Sequence, residues 1–499
     1  FIQTIRLSAG EAGDRVEVAN HVDWQSTACA LKAAFPLTVS NPQATYNWEL
    51  GKVERGNDDP KKFEVPSHEW FDLTDPDGDY GVSILCPKKY GSDKPADNVL
   101  RLTLLYTPGM KNANDFHEQA TQDWGQHDFI YGLYGHRGDW RQGRSDGVAA
   151  RLDQPMFVFR TTSHPGPLGR RFSLLRLNSD TVTVRAVKLA EDSDQVVIRL
   201  QELDGRPEKQ VQVRFADILK KASEVNGLEQ FLHPLHASRD RLTLDFTPCQ
   251  LRSLALTLQS PVKLSPLVSV PVALPYNLAA FASRNDAVHG DFAEDGSALP
   301  AESIGNTVTS GGIEFQIGPR TGSQDNAVRC QGQTIPLPHG NFNRLYLLAA
   351  AVDGDTKGQF SVDGRPFTLE IQNWTGRIGS WDNRVFVGSV PALSYNVTNA
   401  LERIAPGFIK RAPLAWYCDH RRLPGGGDAI YSYSYLFRYG VDIPVGAQTL
   451  TLPNNPRIRV LAVTVAHNDN DAAIPAQPLY DDFRGRSEMP LRANLEKVP

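Results

Sequence analysis

The side chains with most chemistry to offer are spread along the whole chain. His127 and His136, with Asp123 and Asp128 nearby, supply imidazole and carboxylate, the natural ligands of zinc. The intervening Phe129-Ile-Tyr-Gly-Leu-Tyr alternates as a strand does, which holds the two imidazoles nine residues apart along an extended chain. That separation favours a structural role over one shared ion. His21-Val-Asp23 places an imidazole and a carboxylate on one strand face, as a catalytic or ligand pair requires, although a plain strand does the same. Glu69, Asp72, Asp75, Asp77 and Asp79 form an acidic run that suggests paired carboxylates or a cation loop. Asp75-Pro-Asp-Gly-Asp79 is also good turn chemistry, because Asp caps turns and Gly takes positive φ.

In the second half Asn285, Asp286, Asp291, Glu294 and Asp295 cluster around Gly290 and Gly296. Ca2+ takes about six to eight oxygens from flexible loops, so Asp286, Asp291 and Asp295 are candidate Ca2+ ligands, with an ordinary acidic loop as the alternative. Trp374, Trp381 and Trp416 offer flat apolar platforms on which a sugar face stacks, if they are exposed rather than core. Arg421 lies in Asp419-His-Arg-Arg just before Gly425-Gly-Gly, where a strand end running into a loop places it to line a glycan site. A solvated charged loop is the competing reading.

These residues are positioned by many short strands. Gly81–Leu85, Leu100–Tyr106, Phe129–Tyr134, Thr181–Val187, Val196–Leu200, Leu242–Phe246 and Leu254–Leu258 alternate or are β-branched, and Gly/Pro/Asp turns separate them. One helix is expected, over Phe215–Asn226, where Phe215, Ile218, Leu219 and Ala222 share a face. From Lys263 to Pro275 the chain turns to Ser/Pro/Val without alternation, as an extended connector does. Beyond it Gly312–Ile317, Arg344–Ala351, Thr368–Gln372, Tyr431–Tyr439 and Ile458–Val465 read as a second set of strands. The fold class is therefore all-β: a large antiparallel β-sandwich over 1–262, a connector over 263–275, a jelly-roll-like β domain over 276–467 and an extended tail over 468–499.

A formal charge of -5 and a pI near 6.2, with no local Lys/Arg cluster, give no electrostatic reason to expect nucleic acid or an anionic membrane as partner. No apolar run approaches the ~20 residues that cross a bilayer. Cys29, Cys86, Cys249, Cys330 and Cys418 stand singly without CxxC spacing, which predicts buried thiols rather than a disulfide framework or a thiolate zinc site. The chain opens on Phe1 inside a strand-like segment, so an N-terminal truncation is expected. A periplasmic or secreted parent, with its signal upstream, is the favoured compartment.

Phe35-Pro-Leu-Thr-Val, Ala44-Thr-Tyr, Lys62-Phe-Glu-Val-Pro-Ser-His-Glu-Trp-Phe-Asp-Leu-Thr-Asp, Tyr80-Gly-Val-Ser-Ile-Leu and His127-Asp-Phe-Ile-Tyr-Gly-Leu-Tyr-Gly-His closely resemble, in order and spacing, the C-terminal region of glycoside hydrolase family 38 α-mannosidases. The likeness covers roughly residues 1–260. Gly332-Gln-Thr-Ile-Pro-Leu-Pro, Leu345-Tyr-Leu-Leu-Ala-Ala-Ala and Asn373-Trp-Thr-Gly resemble a jelly-roll module appended to some bacterial members.

The resemblance implies a retaining α-mannosidase whose Zn2+ and catalytic carboxylates belong to a barrel and helical bundle that precede this C-terminal region. It carries no catalytic residue and no zinc ligand onto this chain. The expected partners are that barrel and a mannose-containing glycan. An autonomous carbohydrate-binding module and a non-catalytic structural protein remain as alternatives.

Overall fold

The computed structural model describes residues 1–26, 29–107, 124–161, 168–259, 267–284, 290–321, 324–386 and 401–490. The chain is all-β, built mainly from antiparallel sheets packed face to face, with one short parallel pair, Phe281–Ala282 with Leu299–Pro300. Among the described residues no helix is long and apolar enough to cross a membrane.

A seven-stranded sheet comes first, in the order Ile2–Leu7, Val16–Trp24, Gly125–Arg137, Tyr80–Leu85, Trp70–Thr74, Ala44–Trp48, Gly51–Arg55. Cys29–Pro36, Val99–Thr107, Gly91–Ala96 and Val65–Pro66 form the opposing sheet, and Val18, Phe35, Tyr46, Phe71, Leu100 and Leu102 fill the space between. Trp70 and Leu85 sit on the outer face, where Trp140 and the helix Ser145–Asp153 cover them. Trp70-Phe-Asp-Leu is consequently buried at all four positions, since a strand covered on both sides loses its polar face. Asp75-Pro-Asp-Gly-Asp79 forms the expected turn: Asp75 Oδ1 accepts the Asp79 N–H at 2.7 Å, and Gly78 has φ +75°.

Residues 175–258 make a second sandwich with its own core. Leu175–Leu177, Glu208–Phe215 and Arg241–Phe246 face a five-stranded sheet of Val182–Leu189, Val196–Glu202, Leu251–Leu258, Leu219–Val225 and Phe231–Pro234. The helix expected over Phe215–Asn226 is absent; that segment ends one strand and forms another, Leu219–Val225. Its three-residue spacing has another origin. The register slips between Leu219 and Lys221, inserting one residue between the buried Leu219 and Ala222, and Val225 then packs on the opposite face with Val197 and Ala255. The helix that does form was not legible, because its nine residues carry Gly147 and too few apolar positions for a stripe.

The second half is built on a sheet ordered Ser269–Val272, Ile458–Ala466, Arg344–Ala351, Asp428–Asp442, Leu414–Arg422. A sheet of Thr334–Pro336, Thr449–Thr451, Thr356–Val362 and Arg365–Ile371 makes the other layer. Arg344–Ala351 and Ile458–Ala466 are buried at every position, which is why they read as apolar runs.

Two segments expected to be irregular are partly paired. Ser269–Val272, inside the presumed connector, is an edge strand of the second-half sheet. In the presumed tail, Ile474–Pro475 pairs with Phe159–Arg160 and Met489–Pro490 with Leu401–Ile409. Backbone pairing with strands far away in sequence is what the tail's aperiodic composition does not reveal.

Candidate functional site

The two histidines singled out on Gly125–Arg137 have different surroundings. His136 is buried, and its Nε2 lies 2.8 Å from Asp72 Oδ2. Ser83 Oγ donates to the same oxygen at 2.7 Å and lies 2.7 Å from Ser145 Oγ, while Thr74 donates to Asp72 Oδ1 at 2.5 Å. Burial opposes charging of His136, but the Asp72 hydrogen bond and charge outweigh it, with help from the Gly138 carbonyl, and raise its pKa. Ser, His and Asp thus meet without a relay, because Asp72 and Ser83 both approach Nε2 and the group is closed to solvent. His127 stands opposite Val22 in the neighbouring strand. His21 pairs with Asp128 across the strands at 2.8 Å, not with Asp23, so the presumed pair on one strand does not meet.

Accessible chemistry collects in the second half, at the end of the hairpin Leu414–Arg422/Asp428–Asp442. A closed ring of four residues ties it to the preceding loop. Arg284 bonds Asp428, Asp428 bonds Arg422, Arg422 Nη2 donates to Glu302 Oε2 at 2.8 Å, and Glu302 Oε1 accepts the Arg284 N–H at 2.6 Å. The Arg284 hydrogen bond and the Arg422 charge hold Asp428 below the usual carboxylate range. Cys418, Asp419 and His420 lie beside this ring and are the described residues whose donor atoms converge as a metal site requires.

The carbohydrate candidates fare unevenly. Trp374 is 2% exposed and packs on Phe292 at 5.0 Å between ring centroids, so it is core and not a sugar platform. The reason is local: its N–H bonds Ala351 and its carbonyl accepts Tyr435, which pins the indole inside the sandwich. Trp416 is half-buried, with its indole N–H donating to Ser303 O at 3.0 Å. The Trp381 side chain lies outside the described residues. The Arg421 guanidinium faces the Trp374 ring at 5.8 Å and helps lower the pKa of Asp295.

Of the Ca2+ candidates, Asp286 lies outside the described residues. Asp291 Oδ1 accepts the Gly296 N–H at 2.9 Å and Asp295 Oδ1 the Ser297 N–H at 2.8 Å. Glu294 bonds Arg459 at 2.6 Å and pairs with Arg329 at 3.0 Å. These acidic groups therefore brace the loop and its neighbours.

Sequence reasoning passed over the exposed aromatics of this hairpin. Tyr431 is 82% exposed at φ +58°, Tyr417 is 62% exposed, and Tyr433 stacks on Tyr435. The available signal was the Tyr-Ser-Tyr-Ser-Tyr repeat from Tyr431, read only as strand.

Comparison with known proteins divides the chain along the same lines. The glycosyl hydrolases family 38 C-terminal domain matches residues 1–114, the family 38 C-terminal beta sandwich domain residues 181–254, and the AziU2-like beta-sandwich domain residues 268–469. Alpha-mannosidase 2C1 of Mus musculus is 33% identical over 257 residues, 49% of this chain and 23% of that protein. The Homo sapiens protein of that name is 32% identical over 256 residues, with the same coverage. The chain thus spans about a quarter of the length of these curated relatives. A family 38 glycosyl hydrolase structure from Enterococcus faecalis aligns at a TM-score of 0.43 and 19% identity, over 49% of this chain and 28% of that one. By the kind and order of the family matches, the first half of the chain is a C-terminal β-sandwich region of glycoside hydrolase family 38, followed by an AziU2-like β-sandwich module.

Proposed function

We propose that the chain is the C-terminal portion of a retaining, zinc-dependent α-mannosidase acting on mannose-containing glycans. Its sandwiches buttress the enzyme's catalytic barrel and do not themselves carry the chemistry. The observation that carries this reading is the succession of two family 38 C-terminal matches in a chain whose curated relatives are α-mannosidases. A retaining mechanism needs two accessible carboxyl groups about 5–5.5 Å apart. In the family 38 half, the His136–Asp72 centre is closed to solvent and internally bonded, which suits a supporting role. No residue of this chain is assigned to the catalytic Zn2+; the described Cys/Asp/His group that converges lies outside the family 38 matches.

The test is hydrolysis of an aryl α-mannoside by the isolated chain and by the product of its full reading frame, each with and without chelator. Silence from the chain and chelator-sensitive turnover from the full product are expected. Zinc-dependent turnover by the chain alone, or an upstream frame lacking a His-x-Asp barrel, overturns the reading.

Exposed Tyr417, Tyr431 and Tyr433 favour a second role, carbohydrate binding by the AziU2-like module. A glycan array probed with and without Ca2+ tests it, the ion addressing the Asp286/Asp291/Asp295 loop. Silence in both conditions sinks it.

A further inference from the structure

We propose that Cys418, Asp419 and His420 form a binding site for a divalent cation of Zn2+ type, held by thiolate, carboxylate and imidazole with a fourth position open to solvent. The inference concerns the AziU2-like module and stands apart from the α-mannosidase reading.

The site arises from irregular pairing at the hairpin end. Cys418 pairs with Ser434 and His420 with Ile430, so the facing strand accommodates extra residues there, among them Tyr431 at positive φ. Ser434 Oγ donates to the His420 carbonyl at 3.0 Å and secures the distorted segment. Three successive side chains then turn their donor atoms toward one point. Cys418 Sγ lies 3.3 Å from His420 Nδ1 and 3.7 Å from Asp419 Oδ1, and Nδ1 lies 2.7 Å from Oδ1.

Zn–S bonds of about 2.3 Å and Zn–N or Zn–O bonds of about 2.0–2.1 Å at tetrahedral angles set donor-to-donor edges of roughly 3.3–3.6 Å. Both sulfur edges already lie close to that range. The nitrogen–oxygen edge has to open by about half an ångström, and Asp419, at 72% exposure, is free to swing. A thiolate and a carboxylate balance the charge of a divalent ion, and imidazole with thiolate selects zinc-like metals over Ca2+ or Mg2+.

The surroundings agree. His420 Nε2 lies 4.0 Å from Cys418 Sγ, farther than Nδ1 does, and 3.8 Å from Asp428 Oδ1. A carboxylate that accepts the distal N–H is how metal-bound imidazoles are oriented, and Asp428 would have to close by about half an ångström to do so. Asp428 is itself anchored by Arg284 and Arg422 in the four-residue ring. A catalytic thiol–imidazole–carboxylate relay fits less well, since the shortest sulfur and carboxylate approaches, 3.3 and 2.7 Å, are both to Nδ1, against 4.0 and 3.8 Å at Nε2.

The test is titration of the metal-free full chain with Co2+, read by thiolate-to-cobalt charge-transfer absorption, and with Zn2+ by calorimetry. One equivalent per chain and a charge-transfer band are expected. Cys418→Ser should abolish the band and weaken Zn2+ binding at least tenfold, whereas Cys249→Ser should retain both. Asp428→Asn should weaken binding by about 10–100-fold. A wild-type chain with no thiolate–cobalt band, or a band that survives Cys418→Ser, overturns the proposal. The wild-type spectrum decides even if a variant fails to fold.

Discussion

Arg486 and Asp128, 358 residues apart, meet across the molecule: the guanidinium Nη2 lies 3.2 Å from Asp128 Oδ2, while Asp128 Oδ1 takes His21 Nδ1 at 2.8 Å. Arg486 also bonds Asp481 within its own segment at 2.6 Å, so the C-terminal segment is clipped to the first sheet between its two strand pairings.

That segment is expected to couple the two halves. Ending the chain at Ala473 removes both pairings and should split one calorimetric transition into separated ones; a single unchanged transition would count against the coupling. Arg486→Ala alone should cost less than about 1 kcal/mol, because Asp128 is half-exposed and solvent screens the pair.

The His136–Asp72 pair makes stability depend on pH. Its folded pKa is raised above the ordinary 6.5, so its contribution is full below that value and is lost as pH rises through the raised one. Urea midpoints of the wild type should fall over that window, and those of His136→Leu should not. The substitution itself should cost about 3–5 kcal/mol by leaving Asp72 buried without its cation. Gly81→Ala should act on the same pair, since its Cβ would meet His136 Cε1 at 2.6 Å.

Trp374 and Tyr431 should separate packing from binding. Trp374→Ala removes a buried indole and is expected to destabilise by about 3–5 kcal/mol, measured by chemical denaturation. Tyr431→Ala should change stability by less than about 0.5 kcal/mol. Any glycan retained on an array by the wild type should be lost in that variant.

Thiol reactivity should follow burial. Desolvation pushes Cys86 and Cys330 up to about 12, so both should resist a thiol-specific reagent at neutral pH and react only on unfolding. Rapid labelling of either in the native chain, read by peptide mass, would contradict that placement.

The all-β class and most strands were legible because period-two alternation and turn residues are local signals: Asp75-Pro-Asp-Gly-Asp79 forms the turn it spells. Leu219–Val225 misled for an equally local reason, since a bulge imitates helical spacing over one turn. Trp374 could not be placed from its neighbours, because its burial depends on Phe292 and on backbone bonds to Ala351 and Tyr435.

Taken alone, the sequence determined the fold class and the family resemblance of the first half. Both rest on pattern and composition, which need no knowledge of which strands meet. Tertiary structure decided which groups share a space: His136 with Asp72, Arg486 with Asp128, and the convergence of Cys418, Asp419 and His420. The first and last depend on strand register, where a slip of one residue turns every side chain to the other face, and the second on an irregular segment lying back on the first sheet, so spacing along the chain could not specify them.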